Sequence, residues 1–260
     1  MADRSFSDSG GGRDLVVDHD ALREELGSLG LARPMERLDG VEPVQNRIVA
    51  ISGFRGSGKT TVAARILQAQ PRLIVYDPNF DPAYRWVPNT VHEIDGDNGL
   101  RAFFRWVREE GKPTWAVRYV PEEGDDPGGL FADANEFCRF IFTGKMFWVC
   151  FEEIHQIAQT PSPASMPPQL RKLINRGRHR EISVVVTGIR YAEIPRPVTA
   201  GSNLHIVFHT AEPGDREELV KRVGTEATDP VANLGPHEAV AFDTFSRTFV
   251  QINSRESVLV

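Results

Sequence analysis

The stretch Gly53–Thr60 reads GFRGSGKT and fits the pattern G-x-x-x-x-G-K-T. It follows the apolar run Arg47–Ser52 and precedes Thr61–Leu67, so it lies between a predicted buried strand and a predicted helix. In that setting glycine-rich backbone can wrap around a phosphate and direct its amides inward, where the helix dipole also favours an anion. The stretch therefore predicts a phosphate-binding loop in an α/β domain.

Several side chains and amides of this loop are expected to contact a nucleotide. Lys59 is expected to neutralise the β- and γ-phosphates during catalysis, and the hydroxyl of Thr60 to ligate Mg²⁺. A glycine-rich turn with a chance lysine is the alternative, and the spacing and both flanks argue against it. The full set of predicted nucleotide-binding residues is Gly53, Arg55, Gly56, Ser57, Gly58, Lys59, Thr60 and Thr61.

Composition limits the class of protein. The 260 residues, of which 40% are hydrophobic, suit either one large α/β domain or one domain with an appendage. Cys138 and Cys150 provide neither a disulfide framework nor metal-ligand spacing, which indicates a reducing, intracellular setting. No apolar stretch approaches the length of a membrane span, so no integral membrane segment is expected. With a net charge of -6, a nucleic-acid partner would need a local basic patch.

The chain divides into two predicted parts. Residues 1–45 are predicted to form a flexible arm, because they begin with a Ser/Gly/Asp-rich stretch, and they include a short helix with leucines at helical spacing. Residues 46–260 are predicted to form one domain of alternating strands and helices, which indicates a mostly parallel central sheet flanked by helices. Two alternating segments, Glu238–Asp243 and Thr248–Asn253, predict a C-terminal β-hairpin. The other predicted strands are 47–52, 72–77, 90–94, 114–120, 145–151, 182–187 and 204–209, and the other predicted helices are 61–67, 99–110, 130–142, 169–176 and 215–223.

Two acids follow the apolar strand Phe147–Phe151 directly. Glu152 is expected to hold the Mg²⁺ shell, and Glu153 to polarise the attacking water as the catalytic base. Aspartate is usual at the first position; because glutamate is one methylene longer, contact with Mg²⁺ through water is expected. The alternative is a strand that ends in surface charge. These residues together predict a phosphate-loop NTPase.

Two further polar residues allow two interpretations each. His155 follows the acidic pair and could sense the γ-phosphate or touch substrate, or cap and pack a helix. Asp77 ends the second strand and could support the site from its edge, or form a turn before Pro78.

Later segments, taken in order, resemble the FtsK–HerA superfamily of DNA-pumping ATPases across roughly residues 47–223. That superfamily includes chromosome translocases, conjugation coupling ATPases and genome-packaging ATPases of viruses with internal membranes. The resemblance implies a RecA-like P-loop fold. The segments that carry it are Ile74–Pro78, Arg171–Arg180, Ile194–Val198, Ser202–Leu204 and Glu212–Asp215.

The resemblance implies an ATP- and Mg²⁺-dependent ring, usually a hexamer, in which an arginine of one subunit reaches the nucleotide of the next. A guanidinium suits this task because it stays charged and meets phosphate oxygens at two points. Arg176 and Arg178 are the predicted catalytic arginines, with Arg180 behind them. A basic helix end that complements the helix dipole is the alternative.

One position departs from the superfamily pattern. The strand before the segment Ile194–Val198 ends in Thr187 and Gly188, where the superfamily often has a polar sensor, glutamine after threonine. Thr187 is therefore expected to take the role of sensor.

The leading functional hypothesis is an ATP-hydrolysing translocase of double-stranded DNA that packages a viral genome into a capsid. The implied partners are DNA, copies of the same chain and a capsid or portal-vertex protein, in the host cytoplasm or associated with the virion. The alternative is a nucleotide-dependent switch or assembly ATPase that acts on protein partners. A small-molecule kinase is the third option, against which the acidic pair and the lack of an obvious lid argue.

Overall fold

The computed structural model describes residues 47–122, 127–158 and 165–254, so the predicted arm at residues 1–45 lies outside the described residues. The strands are β1 (Ile48–Ser52), β2 (Arg72–Tyr76), β3 (Asn89–Val91), β4 (Trp115–Tyr119), β5 (Phe147–Phe151), β6 (Ile182–Gly188), β7 (Leu204–Phe208), β8 (Glu238–Asp243) and β9 (Thr248–Asn253). The α-helices are α1 (Lys59–Gln68), α2 (Leu100–Glu109), α3 (Pro127–Ile141), α4 (Pro168–Arg176), α5 (Arg196–Gly201), α6 (Pro213–Val223) and α7 (Thr225–Thr228). Short 3₁₀ helices lie at Pro82–Tyr84, Ile154–Gln156, Gly177–Arg180, Tyr191–Glu193 and Asp229–Asn233.

The strands of the described residues form one sheet in the order β3-β4-β2-β5-β6-β1-β7-β8-β9. The pairs from β3 to β7 are parallel, and β8 and β9 are added antiparallel. The predicted α/β class, the mostly parallel sheet and the C-terminal hairpin are therefore confirmed.

Strand β6 lies between the strand that leads into the phosphate loop, β1, and the strand that leads into the acidic pair, β5. Parallel strands in register end at the same edge of a sheet. Ser52, Phe151 and Gly188 accordingly end their strands together, and the amide of Gly53 donates to the carbonyl of Gly188 at 3.2 Å. The loops that follow these three strands meet at this edge, which we call the carboxyl edge.

The side-chain alternation of the strands divides most of the buried residues between two cores, one on each face of the sheet. Helix α1 packs on one face against Val49, Ile51, Cys150 and Val185, while α2 to α5 pack on the other. A small third core joins α6 to β7 and β8. Because side chains alternate, Glu152, two residues after Cys150, faces the same side as α1.

Some boundaries differ from those predicted. Strand β3 covers Asn89–Val91 rather than 90–94, since the chain then turns, with Gly96 at φ 99°, to begin α2. Helix α3 begins at Pro127, three residues before the predicted start. Proline suits the first turn of a helix because its missing N–H would have no partner there. The short helices α5 and α7 are not predicted by any periodic pattern.

None of the helices in the described ranges is both long enough and apolar enough to cross a membrane.

Candidate active site

The phosphate loop joins β1 to α1 at the carboxyl edge. Gly56 and Gly58 have φ of 80° and 108°, in the left-handed region that favours glycine. Gly58 is also the residue before α1, and its carbonyl accepts from the amide of Val62 at 3.0 Å. The amides of the first turn of α1 have no partner within the helix, so they are directed at whatever the loop encloses.

Lys59 is buried at the start of α1, with 4% of its surface exposed. Its Nζ lies 3.4 Å from the carbonyl oxygen of Phe54 and 3.5 Å from Oε1 of Glu153. The loop lysine and the predicted catalytic base therefore face each other directly.

Glu152 is the more buried of the two acids and is held by two hydroxyls. Thr60 donates to its Oε1 at 2.6 Å, and Tyr84 donates to its Oε2 at 2.8 Å. Burial raises the pKa of Glu152 to about 7, although the two hydrogen bonds act in the opposite direction. The carboxylate of Glu152 thus contacts Thr60 directly.

Glu153 has a different environment. Its backbone is left-handed, with φ 49°, and its amide donates to Oγ1 of Thr187 at 2.8 Å. Its side chain lies beside Lys59 and 3.2 Å from Nδ1 of His155. Burial alone would raise the pKa of Glu153, but His155 and Lys59 outweigh it and the pKa lies below its usual value. Glu153 is therefore an ionised carboxylate at neutral pH.

Thr187 and Gly188, where the sequence departs from the superfamily pattern, lie on opposite faces of β6. Thr187 is fully buried on the α1 face and contacts the backbone of Glu153. A Cβ at Gly188 would point to the opposite face and lie 2.9 Å from Cγ1 of Ile194. The side chain at 188 would therefore start away from the site, and Thr187 is the polar residue of β6 that faces it.

Asp77 forms the turn after β2. Its carboxylate accepts from the amides of Asn79 and Asp81 at 3.2 and 2.9 Å and pairs with Arg118 of β4. Burial raises the pKa of Asp77, although the Arg118 guanidinium opposes this. Of the two interpretations of Asp77, the structure favours the turn. The turn leads into Pro82–Tyr84 and so brings Tyr84 to Glu152.

A cavity of about 700 Å³ opens beside the phosphate loop. Gly56, Gly58 and Lys59 to Thr61 form its floor, together with Arg55. The segment Asp81–Ala83 lines one side, and His237 and Ser254 of the C-terminal hairpin line another. The predicted residues Arg55, Gly56, Gly58, Lys59, Thr60 and Thr61 therefore surround one cavity.

Arg176 and Arg178 lie elsewhere. Both are exposed and precede β6, so they sit at the amino edge of the sheet. A strand of the length of β6 spans roughly 20 Å, which separates them from the phosphate loop of their own chain. Arg180, behind them, donates to the carbonyl of Thr143 at 3.1 Å.

The donors present fit a magnesium ion of the kind P-loop proteins bind. Thr60 and Glu152 bring two hard oxygen ligands together, and Mg²⁺ takes its remaining ligands from water and phosphate. In the parts of the chain that the structure describes, no group of three or more His, Cys, Asp or Glu residues forms a separate metal site.

Sequence reasoning missed Tyr84, Arg118, His237 and Ser254. Arg118 had a signal: it is a charged residue two positions before the end of a buried strand, where an unpaired charge would be costly. The other three come from segments whose sequence carries no motif, and only the fold brings them to the phosphate loop.

No protein-family model matches the chain, and no curated protein sequence matches it significantly. Among solved structures, the genome-packaging NTPase B204 of Sulfolobus turreted icosahedral virus 2, in complex with ATP-gammaS, is similar with a TM-score of 0.60 and 17% identity over 79% of this chain and 96% of that one. The DNA-packaging ATPase B204 of Sulfolobus turreted icosahedral virus is similar with a TM-score of 0.58 and 18% identity, over 79% of this chain and 96% of that one. VirB4 of Thermoanaerobacter pseudethanolicus is similar with a TM-score of 0.57 and 12% identity, over 79% of this chain and 88% of that one.

At these identities the likeness establishes the fold. The sequence resemblance and the structural comparison agree on it: the chain has the P-loop ATPase fold that the packaging proteins and VirB4 share, and the FtsK–HerA resemblance is confirmed at that level.

Proposed function

We propose that this chain is an ATP-hydrolysing motor that translocates double-stranded DNA, and that it packages a viral genome into a capsid. One observation carries the hydrolytic part: an ionised Glu153 lies 3.5 Å from Lys59 of the phosphate loop. Glu153 follows β5, and a single strand, β6, separates β5 from the strand β1 that leads into the loop. The DNA part is supported by the fold shared with two proteins described as packaging enzymes.

In this proposal the chain's own residues do the following. The loop amides and Lys59 bind the phosphates. The phosphates then replace Glu153 as the negatively charged partner of the lysine. Glu153, released from that contact, accepts a proton from the attacking water. Thr187 fixes the backbone of Glu153 and so the direction from which it acts.

Thr60 and Glu152 would hold magnesium. When bound, the ion neutralises charge that develops on the phosphate oxygens. Burial raises the pKa of Glu152, and a divalent cation beside its carboxylate would favour the ionised form.

The ring is proposed from the position of the arginines. Because Arg176 and Arg178 are exposed at the edge opposite the phosphate loop, a second subunit is needed to bring a guanidinium to a nucleotide. Double-stranded DNA would then contact basic residues inside the ring, and a capsid or portal-vertex protein would hold the ring, in the host cytoplasm or on the virion. A hexamer is the expected assembly.

The direct experiment measures ATP hydrolysis with and without double-stranded DNA while the oligomer mass is recorded under nucleotide. We expect DNA to stimulate turnover and nucleotide to favour a ring. A monomer whose hydrolysis ignores DNA would contradict the motor.

The alternative is a nucleotide-dependent switch that acts on protein partners. Exposed apolar side chains favour it: Phe54 and Phe80 follow β1 and β2 at the carboxyl edge, and Phe245 at the hairpin tip is 95% exposed. Glu153→Gln separates the two functions. A motor loses at least about a hundred-fold in turnover and keeps ATP and DNA binding, whereas a switch shows no DNA dependence with either chain.

A further inference from the structure

The cavity beside the phosphate loop extends well past the residues that bind phosphate. Its walls come from two parts of the chain that are far apart in sequence, the segment Asp81–Ala83 after β2 and the hairpin residues His237 and Ser254. Neither part belongs to the phosphate-loop motif or to the acidic pair.

His237 is held in an uncommon conformation at this wall. Its φ is 68°, in the left-handed region that non-glycine residues seldom adopt. The turn is fixed by the amide of Gly235, which donates to Oε2 of Glu238 at 2.6 Å, and by the amide of Ser254, which donates to the carbonyl of His237 at 2.8 Å. Such conformations persist where the surroundings determine them, and they concentrate at binding sites.

The same wall rests on the phosphate loop. Ser254 is buried, and a Cβ built at Gly58 would lie 2.2 Å from its Oγ. The end of the hairpin therefore lies directly against Gly58, the residue before α1. This close approach fixes the distance between His237 and the phosphate loop.

The segment Asp81–Ala83, the other part of the lining, is also fixed. Oδ1 of Asp81 accepts from the amide of Ala83 at 2.8 Å, and Arg118 donates to the carbonyl of Asp81 at 2.8 Å. The lining of the cavity therefore includes two apolar residues, Pro82 and Ala83, and one acidic residue, Asp81.

We propose that this cavity is the nucleoside site: a base lies between the imidazole of His237 and the surface of Pro82 and Ala83, and Asp81 accepts from the ribose. The inference rests on the proposed function, because it takes the triphosphate to lie along Gly53–Thr61. A nucleoside attached to that triphosphate must continue beyond the loop, and the cavity begins there. A lining that offers an aromatic ring and apolar residues suits a planar base, and a carboxylate suits a hydroxyl.

The test compares ATP with inorganic tripolyphosphate, which has the phosphates but no nucleoside. His237→Asn removes the imidazole, while asparagine tolerates the left-handed backbone. We expect His237→Asn to weaken ATP binding about ten-fold, the loss typical of one base–aromatic stack, and to leave tripolyphosphate binding unchanged. His179→Asn, at an exposed histidine before β6, is the control and should change neither. Calorimetry on the full chain measures both ligands.

Two outcomes overturn the nucleoside site while leaving the phosphate loop intact. In one outcome, His237→Asn weakens the binding of both ligands equally, so that His237 acts through the loop. In the other outcome, the substitution weakens the binding of neither ligand. Tripolyphosphate binding by each variant also reports that the protein is folded. If the wild-type chain binds neither ligand, the proposed function itself fails.

Discussion

At the scale of single residues, two adjacent glutamates have opposite environments. Glu152 is buried under two hydroxyls and its pKa rises to about 7, while the pKa of Glu153 lies below its usual value beside Lys59 and His155. Paired carboxyls whose pKa values are driven apart generally perform different tasks. In the proposed mechanism the first acid orients Thr60, and the second, ionised acid accepts the proton of the attacking water.

Tyr84 should support catalysis through Glu152. Its hydroxyl donates to the Glu152 carboxylate, and Tyr84→Phe removes that bond without changing the packing of the ring. A hydrogen bond to a charged group contributes about 1.5–3 kcal/mol, so we expect a fall in kcat of about ten-fold or more. The KM for ATP should stay nearly constant, and more Mg²⁺ should be needed for half-maximal rate.

The control for this prediction is Tyr191→Phe. Tyr191 is also a buried tyrosine, but its hydroxyl contacts Nδ1 of His205. Both variants lose a buried hydrogen bond, so both should lose stability in urea. A fall in stability without a change in kcat or Mg²⁺ dependence for Tyr84→Phe would rule out a positioning role.

At the scale of elements, the sequence predicted strands and helices well where a period or a motif was strong. The phosphate loop and the acidic pair were each predicted to follow an apolar strand, and they meet in the structure because parallel strands end at a shared edge. The Ser202–Asn203 segment that contributed to the resemblance has a structural role: Oδ1 of Asn203 accepts from the amide of Ile48 at 2.9 Å and aligns β7 with β1.

The outer residues of the site, Tyr84 and His237, could not be predicted from the sequence, and one physical reason applies to both. Tyr84 and His237 lie in turns, where single backbone conformations and long-range contacts, rather than periodicity, decide where a side chain goes. The role of position 188 was equally hidden, because only the pleat of β6 shows that a side chain there would start toward Ile194.

Strand β7 carries a buried histidine that should make stability depend on pH. His205 is 1% exposed, and burial, together with the charge of Arg222, lowers its pKa to about 4. As pH falls from about 6.5 to 4, His205 binds a proton in the unfolded chain but not in the folded chain. The free energy of unfolding therefore decreases. The loss amounts to about 3 kcal/mol and is absent above pH 7.

Urea unfolding of wild type and His205→Gln at pH 5 and pH 7 checks this. At pH 7 the variant should be less stable than the wild type, because the hydrogen bond with Tyr191 changes. On going from pH 7 to pH 5, however, its free energy of unfolding should fall by less than that of the wild type. His179→Gln, at an exposed position, should follow the wild type at both values. Equal losses for wild type and His205→Gln would contradict a pH dependence that originates in β7.

At the scale of the whole molecule, the two edges of the sheet carry complementary halves of the proposed ring site. Glu153 and Lys59 are at the carboxyl edge, and Arg176 and Arg178 are at the amino edge. If the arginines act on a neighbour's nucleotide, the two halves can come from different chains. The double variant Arg176→Ala/Arg178→Ala and the variant Glu153→Gln should each be nearly inactive.

Mixing the two inactive variants should restore hydrolysis, because some sites then combine an intact acid from one chain with intact arginines from its neighbour. ATP turnover across mixing ratios should reach a maximum near equal amounts. Arg171→Ala, an exposed arginine of α4, is the control and should stay active alone. Mixed oligomers without any recovery would exclude the arginines as residues that act between subunits.

The burial of both thiols has a practical consequence. Cys138 and Cys150 are the two cysteines of the chain, and each is fully buried. Burial raises the pKa of both thiols, which keeps them as unreactive thiols at neutral pH. A single cysteine placed at the exposed Ser246 of the hairpin tip should therefore take a fluorophore selectively. The wild-type background needs no prior removal of cysteines, so motion of the hairpin during nucleotide turnover can be followed directly in the otherwise natural chain.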